Sequence, residues 1–103
     1  MELLDTLIVG AGISGLSLAH ALHKEATSAS PLKILVAESQ GRVGGNITTV
    51  TAGGFLWEEG PNSFSPTPEL MKLAVDVGLK QELIFADRPR VMFVGKISSN
   101  RCR

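Results

Sequence analysis

Three glycines near the N-terminus have the spacing of a phosphate-binding loop. Gly10, Gly12 and Gly15 stand in the order G-x-G-x-x-G. In such a loop the first glycine permits a tight turn, the second lets the backbone approach a pyrophosphate, and the third lets a helix pack closely on a strand. The N–H groups at the start of that helix stabilise the anion. The spacing therefore predicts a dinucleotide-binding loop, against the alternative of a purely structural glycine turn.

Glu38 is a candidate ligand of the adenosine ribose. It follows the glycine loop by about twenty residues, where a carboxylate accepts hydrogen bonds from the ribose hydroxyl groups. The same negative charge would repel a 2′-phosphate, which disfavours NADP. NAD and FAD fit equally well on this evidence, and a solvated glutamate at a strand end is the alternative.

A second glycine cluster favours FAD. Arg42, Gly44 and Gly45 follow Glu38 by four, six and seven residues. An NAD site does not need glycines here, whereas an FAD that extends past the second strand needs backbone close to its phosphates and ribityl chain. Arg42 can pair with a phosphate or hold the loop. The alternative is an ordinary glycine-rich loop with a surface arginine.

Apolar patterning places these loops in a βαβ unit. Continuous apolar runs predict buried strands over residues 3–10 and 32–38. Apolar residues at helical spacing predict an amphipathic helix over residues 14–25. A strand, helix and strand within this length form a βαβ unit with a right-handed crossover.

Later segments add a hairpin and a second helix. Two β-prone runs flank the turn at residues 51–54 and predict a hairpin. Thr67 is a favourable N-cap with Pro68 after it, and Gly78 ends that helix. A short helical segment is expected over residues 81–85 and a strand over residues 90–96.

Composition excludes several classes of function. The chain has 103 residues, which predicts at most one small domain, and its 44% hydrophobic and 19% charged residues are typical of a globular protein. Ten basic and ten acidic residues cancel, so nucleic-acid binding is not expected. A single cysteine, an acidic N-terminus and the lack of a long apolar run favour a cytoplasmic protein, with peripheral membrane contact left open.

Three segments in order carry a family resemblance. "GAGISGL", "ESQGRVGGN" and "GFLWEEGPNSF" resemble the N-terminal segment of the FAD-dependent amine oxidase superfamily. "GGNITTV" and "WEEGPNSFSPTPELMKLAVDVGL" are similar to the oxygen-dependent protoporphyrinogen oxidases of the plant and cyanobacterial type. The resemblance covers residues 6–87. It implies an α/β fold, namely the N-terminal part of a Rossmann-like FAD-binding domain that is incomplete.

The resemblance also implies a cofactor and a reaction. Members of this family use FAD and oxygen to oxidise a tetrapyrrole, protoporphyrinogen IX, to protoporphyrin IX for haem and chlorophyll synthesis. No residue of this chain is a credible general base, so no catalytic residue is assigned. The FAD contacts that the resemblance and the motifs together assign fall on Gly10, Ala11, Gly12, Ile13, Ser14, Gly15, Glu38, Ser39, Arg42, Gly44, Gly45, Asn46, Gly60, Pro61, Asn62 and Ser63.

The last part of the chain departs from the family pattern. Residues 1–103 are expected to be a partial FAD-binding domain with an atypical tail at 89–103 and no substrate domain. A truncated, non-catalytic chain with weak FAD or ADP binding is therefore an alternative function, as is another flavoenzyme such as an amine oxidase or carotenoid desaturase. His20 and His23 are interpreted as a solvated helix face rather than a metal pair.

Overall fold

The computed structural model describes residues 2–85 and the strand Met92–Val94. The chain divides into two compact units, Met1–Gly60 and Pro61–Arg103. Apart from Met92–Val94, the tail expected at residues 89–103 lies outside the described residues.

The first unit begins with the predicted βαβ arrangement. Strand β1 (Thr6–Val9) leads into helix α1 (Ile13–Glu25), which is followed by strand β2 (Ile34–Ala37). The two strands are parallel, in register from Thr6 opposite Ile34 to Val9 opposite Ala37. Helix α1 starts one residue before the predicted position. Both strands are shorter than predicted, and Gly10, with φ 97°, turns the chain out of the end of β1.

Helix α1 covers one face of this two-stranded sheet. Ile8 on that face is only 6% exposed, and its partner Val36 is half-buried. Side chains alternate between the two faces of a strand. Leu7, Val9 and Leu35 accordingly lie on the other face, where they are 56%, 84% and 48% exposed. The apolar character predicted for both faces is present, but only one face is buried.

The predicted hairpin completes the first unit. Strand β3 (Thr49–Ala52) pairs antiparallel with strand β4 (Phe55–Glu58). Gly53 and Gly54 form the two-residue turn with φ of 57° and 80°. Two consecutive positive φ values are the geometry that favours glycine pairs in tight hairpins.

The second unit contains an antiparallel sheet and helix α2 (Pro68–Asp76). Strand β7 (Met92–Val94) lies between β5 (Ser63–Phe64) and β6 (Leu83–Phe85). The helical segment expected over residues 81–85 is confirmed only in its first two residues. A 3₁₀ turn covers Lys80–Glu82, and the apolar run after it pairs with β7 instead of coiling. The strand expected over residues 90–96 is confirmed at 92–94, and its flanks lie outside the described residues.

Candidate dinucleotide-binding site

The first glycine loop joins β1 to α1 through close backbone packing. The Gly10 N–H donates to the Ala37 carbonyl at 2.7 Å, which ties the end of β1 to the end of β2. A Cβ added at Gly15 would overlap the Gly10 carbonyl oxygen and lie 3.2 Å from Cγ2 of Ile8. Only glycine at this position therefore lets α1 sit this close to β1.

Within the described residues, the start of α1 lacks a side-chain cap. Gly12 is the N-cap residue, has an extended backbone (φ −77°, ψ −175°) and offers no side-chain cap. The first turn of this helix contains no acidic residue. Because the first N–H groups of any helix lack intrahelical acceptors, this end of α1 suits an anion. Ile13 and Ser14, which the sequence placed among the cofactor contacts, are exposed there.

The Glu38 carboxylate lies beside this loop and is bonded to it. Its Oε2 accepts the Ala11 N–H at 2.8 Å, while Oε1 accepts the Gln40 N–H at 3.0 Å and the Ser39 hydroxyl at 3.3 Å. The N–H of Ala11, followed by that of Gln40, lowers the pKa of Glu38 below its usual value of 4.5. The carboxylate is therefore charged at neutral pH. The backbone contacts of Gln40 and Ala11 with Glu38 have no signal in the sequence, because any residue type supplies an N–H.

The second glycine loop lies directly against the first. The Gly44 N–H donates to the Ala11 carbonyl at 2.8 Å. A Cβ added at Gly45 would lie 3.2 Å from Cα of Gly12. Gly44 and Gly45 also have φ of 113° and 59°, in the region that favours glycine. Gly45 is thus required by its contact with the first loop and Gly44 by its own backbone conformation, and neither reason is visible in the spacing of the sequence.

Arg42 holds the second loop from within. Its Nη2 donates to the Gly45 carbonyl at 2.6 Å and to Oγ1 of Thr48 at 3.4 Å, and its Nη1 donates to the Val43 carbonyl at 3.2 Å. Arg42 was expected either to pair with a phosphate or to hold the loop, and its hydrogen bonds in the structure hold the loop. Thr48 was missed, because a hydroxyl six residues after an arginine carries no recognisable signal.

The remaining candidate residues divide between the two units. A Cβ added at Gly60 would overlap the Asn46 carbonyl oxygen and lie 3.2 Å from Cα of Ile47. Asn46 and Gly60 are therefore adjacent in the first unit. Pro61, Asn62 and Ser63 belong to the second unit and are exposed, with Ser63 opening strand β5 rather than lying in a loop. Their role towards a cofactor stays a prediction.

The two histidines of α1 have different environments. His23 is exposed, as expected of a solvated face. The Nε2 atom of His20 is buried without a hydrogen-bond partner among the described residues, so the expectation of a solvated face is wrong for His20. Within residues 2–85, no three His, Cys, Asp or Glu side chains are grouped to hold a metal ion.

Comparison with known families shows the family to which the chain belongs. Residues 13–100 match the family described as flavin containing amine oxidoreductase. The chain belongs to this family. Its members are flavin proteins by that description, so a flavin is the cofactor that the family implies, and the α/β fold expected from the sequence is confirmed.

Plant enzymes are among the similar relatives. The chain is 52% identical over 97 residues to protoporphyrinogen oxidase 1, chloroplastic, of Spinacia oleracea, covering 91% of this chain and 17% of the relative. It is 50% identical over 97 residues to the chloroplastic protoporphyrinogen oxidase of Nicotiana tabacum, with coverages of 91% and 17%. The chain thus spans 17% of the length of these curated relatives.

Solved structures show the same family fold. A crystal structure assigned as a protoporphyrinogen oxidase from Exiguobacterium sp. 255-15 has a TM-score of 0.67 and 31% identity, covering 82% of this chain and 18% of that chain. A double mutant of putrescine oxidase, redesigned in cofactor binding, has a TM-score of 0.62 and 40% identity, with coverages of 78% and 16%.

The cytoplasmic location expected from the sequence is not confirmed. The spinach and tobacco relatives are named as chloroplastic. Among the helices of the described residues, none combines the length and apolarity needed to cross a bilayer.

Proposed function

We propose that the first unit binds the ADP half of FAD at the start of α1. The backbone N–H groups of residues 12–15 would hold the pyrophosphate, because no side chain caps this helix end. Glu38 would accept the ribose hydroxyl groups with the carboxylate lone pairs that Ala11 and Gln40 leave free. The convergence of Glu38 and both glycine loops around the Ala11 peptide is the observation that supports this proposal most.

The cofactor we infer is FAD rather than a nicotinamide dinucleotide. The flavin-containing family supports this choice. The second glycine loop packs on the first, so a ligand bound at the first glycine loop would contact backbone from both loops. The charge of Glu38 would repel the 2′-phosphate of NADP. Asn46 and Gly60 would lie along the extended cofactor, and Pro61, Asn62 and Ser63 are proposed to contact its flavin side.

The reaction we propose is oxidation of protoporphyrinogen IX to protoporphyrin IX, carried out by the longer enzyme to which this segment corresponds. The 52% identity to the spinach protoporphyrinogen oxidase supports this substrate. A flavin held at residues 12–15 and Glu38 would supply hydride-accepting chemistry, with oxygen as the final electron acceptor. The described residues contribute binding and orientation. We assign none of them as an acid or base.

A binding role without turnover is the second candidate function. Leu7, Val9 and Leu35 expose an apolar sheet face, whereas parallel sheets in stable domains are covered on both faces. This exposed face favours nucleotide binding by the chain over a complete site that encloses a flavin during a reaction. The 40% identity to a putrescine oxidase structure keeps an amine as the alternative substrate class.

Calorimetric titration of the 103-residue chain tests nucleotide binding. We expect ADP and FAD to bind, NADP to bind at least about tenfold more weakly, and Glu38→Gln to narrow that difference by removing the repelling charge. Equal affinity for NADP in the unaltered chain would contradict the proposed role of Glu38.

A chimera tests the reaction separately. The chain would replace the matching 97 residues of the spinach enzyme. We expect the chimera to produce protoporphyrin fluorescence and peroxide from protoporphyrinogen IX above a protein-free control. A chimera that binds FAD but oxidises only an amine such as putrescine would overturn the substrate assignment.

A further inference from the structure

Arg42 is the side chain that fixes the shape of the second glycine loop. We infer that Arg42 is a positioning residue, which supports dinucleotide binding through the loop 43–45 and does not contact the phosphates. The effect of Arg42 on dinucleotide binding rests on the proposed function. Its support of the loop 43–45 involves only described residues and can be tested without any nucleotide.

The guanidinium of Arg42 donates its hydrogen bonds to backbone carbonyls of its own loop. Two nitrogens of the planar fork bond the carbonyls of Gly45 and Val43 at 2.6 and 3.2 Å. The Thr48 hydroxyl accepts from Nη2 and donates in turn to the Asn46 carbonyl at 3.4 Å. A fork that spans two carbonyls is specific to arginine, because the lysine ammonium is a single point charge.

The loop that Arg42 holds contacts the first glycine loop at two points. Gly45, whose carbonyl Arg42 binds, lies against Cα of Gly12, and the Gly44 N–H bonds the Ala11 carbonyl. Since the Ala11 N–H bonds Glu38, both polar groups of that residue are held by the segment after β2. Arg42 therefore supports the first loop indirectly, through Gly44 and Gly45, and does not itself contact a ligand.

The position of Gly44 fits the same arrangement. A Cβ added there would lie 3.3 Å from Nη1 of Arg42 and 3.3 Å from the Ile47 carbonyl oxygen. Glycine at this position leaves the guanidinium room to lie across its own loop. The arginine and the glycine pair are thus parts of one structural unit.

Amide hydrogen exchange in the ligand-free chain tests the loop support. In Arg42→Gln and Arg42→Lys alike, we expect exchange of the Gly44 amide to accelerate about tenfold, because the hydrogen bond to Ala11 loses its support. The Thr6 amide, which bonds Lys33 at the far end of β1, should keep its rate. Unchanged exchange at Gly44, or equal acceleration at Thr6, would overturn the inference.

Thr48→Val gives a milder variant in case the Arg42 variants do not fold. It removes only the hydroxyl that Arg42 contacts and keeps both carbonyl bonds. We expect about a twofold to threefold acceleration at Gly44 and none at Thr6. No acceleration at Gly44 in this variant, together with unfolded Arg42 variants, would make Arg42 a general stability residue and overturn the inference.

The salt dependence of ADP affinity separates positioning from phosphate contact. A phosphate-binding arginine contributes a salt-sensitive attraction that lysine largely preserves. We expect Arg42→Lys and Arg42→Gln to weaken ADP binding by a similar factor of about five to ten, with the salt slope of the unaltered chain retained. Rescue by lysine, or a shallower slope in Arg42→Gln, would show direct contact. If the unaltered chain does not bind ADP, the proposed function fails, whereas the exchange experiment still tests Arg42.

Discussion

The two α-helices in the described part of the chain begin in opposite ways. Helix α2 begins with a side-chain cap, in which Oγ1 of Thr67 accepts the Leu70 N–H at 3.3 Å, followed by Pro68 and Glu69. Helix α1 begins at Gly12 with neither a side-chain cap nor an acidic residue in its first turn. The Thr67 cap satisfies the Leu70 N–H, and Glu69 suits the positive dipole end of α2, whereas the start of α1 has neither feature.

The difference favours the start of α1 over the start of α2 as a position for an anion. A glycine at the N-cap costs only a few tenths of a kcal/mol relative to a serine or threonine cap, but a purely structural helix gains nothing from that loss. At α1 the glycines permit close packing of Gly15 on β1 and of Gly12 near Gly45 instead. Stability at this helix start is given up for access to the backbone.

The largest effect is expected from closing the space between α1 and β1. Gly15→Ala places a Cβ where the Gly10 carbonyl oxygen lies, so α1 must move away from β1. We expect a loss of about 1–3 kcal/mol in the free energy of unfolding, measured by urea denaturation. Gly41→Ala is the matched control, because a Cβ there meets nothing within 4 Å. Equal stability of the two variants would contradict the close packing.

Giving α1 the cap that it lacks should separate stability from binding. The extended backbone of Gly12 suits serine, and an added Cβ would meet Cα of Gly45 only at 4.0 Å. We expect Gly12→Ser to raise the free energy of unfolding by a few tenths of a kcal/mol. It should weaken ADP binding at least about tenfold, because the side chain occupies the approach to the N–H groups. Unchanged ADP affinity in calorimetry would place the ligand elsewhere.

Removing the cap from α2 should cost stability without affecting binding. We expect Thr67→Ala to lower the free energy of unfolding by about 1 kcal/mol, since the Leu70 N–H loses its acceptor. Thr67→Ser keeps the oxygen and serves as the control. A change in ADP affinity in the alanine variant alone would break the distinction between the two helix starts.

Acid should loosen the first loop through Glu38. Its pKa is lowered in the folded chain, chiefly by the Ala11 N–H. A lowered folded pKa means that the stabilisation is fully present above the usual value of 4.5 and is lost as the pH falls through the folded pKa. We expect exchange protection of the Ala11 amide, relative to Thr6, to fall below pH 4.5 in the unaltered chain. Glu38→Gln should show weak protection with little pH dependence, and a similar loss of protection on acidification in that variant would assign the titration to another group.

Much of the fold could be predicted because its signals are local. The glycine turn after β1, the helical spacing of α1, the glycine pair at 53–54 and the Thr67-Pro68 helix start each act within a few residues. The helix expected over residues 81–85 fails at its last three residues for the opposite reason. Leu83–Phe85 is a strand because β7 lies beside it, and pairing over this distance is decided by tertiary contact rather than by propensity.

The sequence indicates candidate residues of the site but not the contacts between them. Glu38, Gly44 and Gly45 are predicted to face a ligand, and the structure adds their contacts with Ala11 and Gly12. Such contacts depend on two loops meeting at the ends of parallel strands, which spacing alone does not specify. The hydrogen bonds of Arg42 likewise end on backbone carbonyls, which every residue possesses and which therefore give no signal in the sequence.

An NMR titration of the chain with ADP tests the central claim most directly. We predict shifts of the amides of residues 12–16 and of Gly44, while the amides of Leu70 and Met71 at the start of α2 do not move. The experiment compares the two helix starts in one sample. Shifts at α2, or none at α1 with millimolar ADP, would contradict the account.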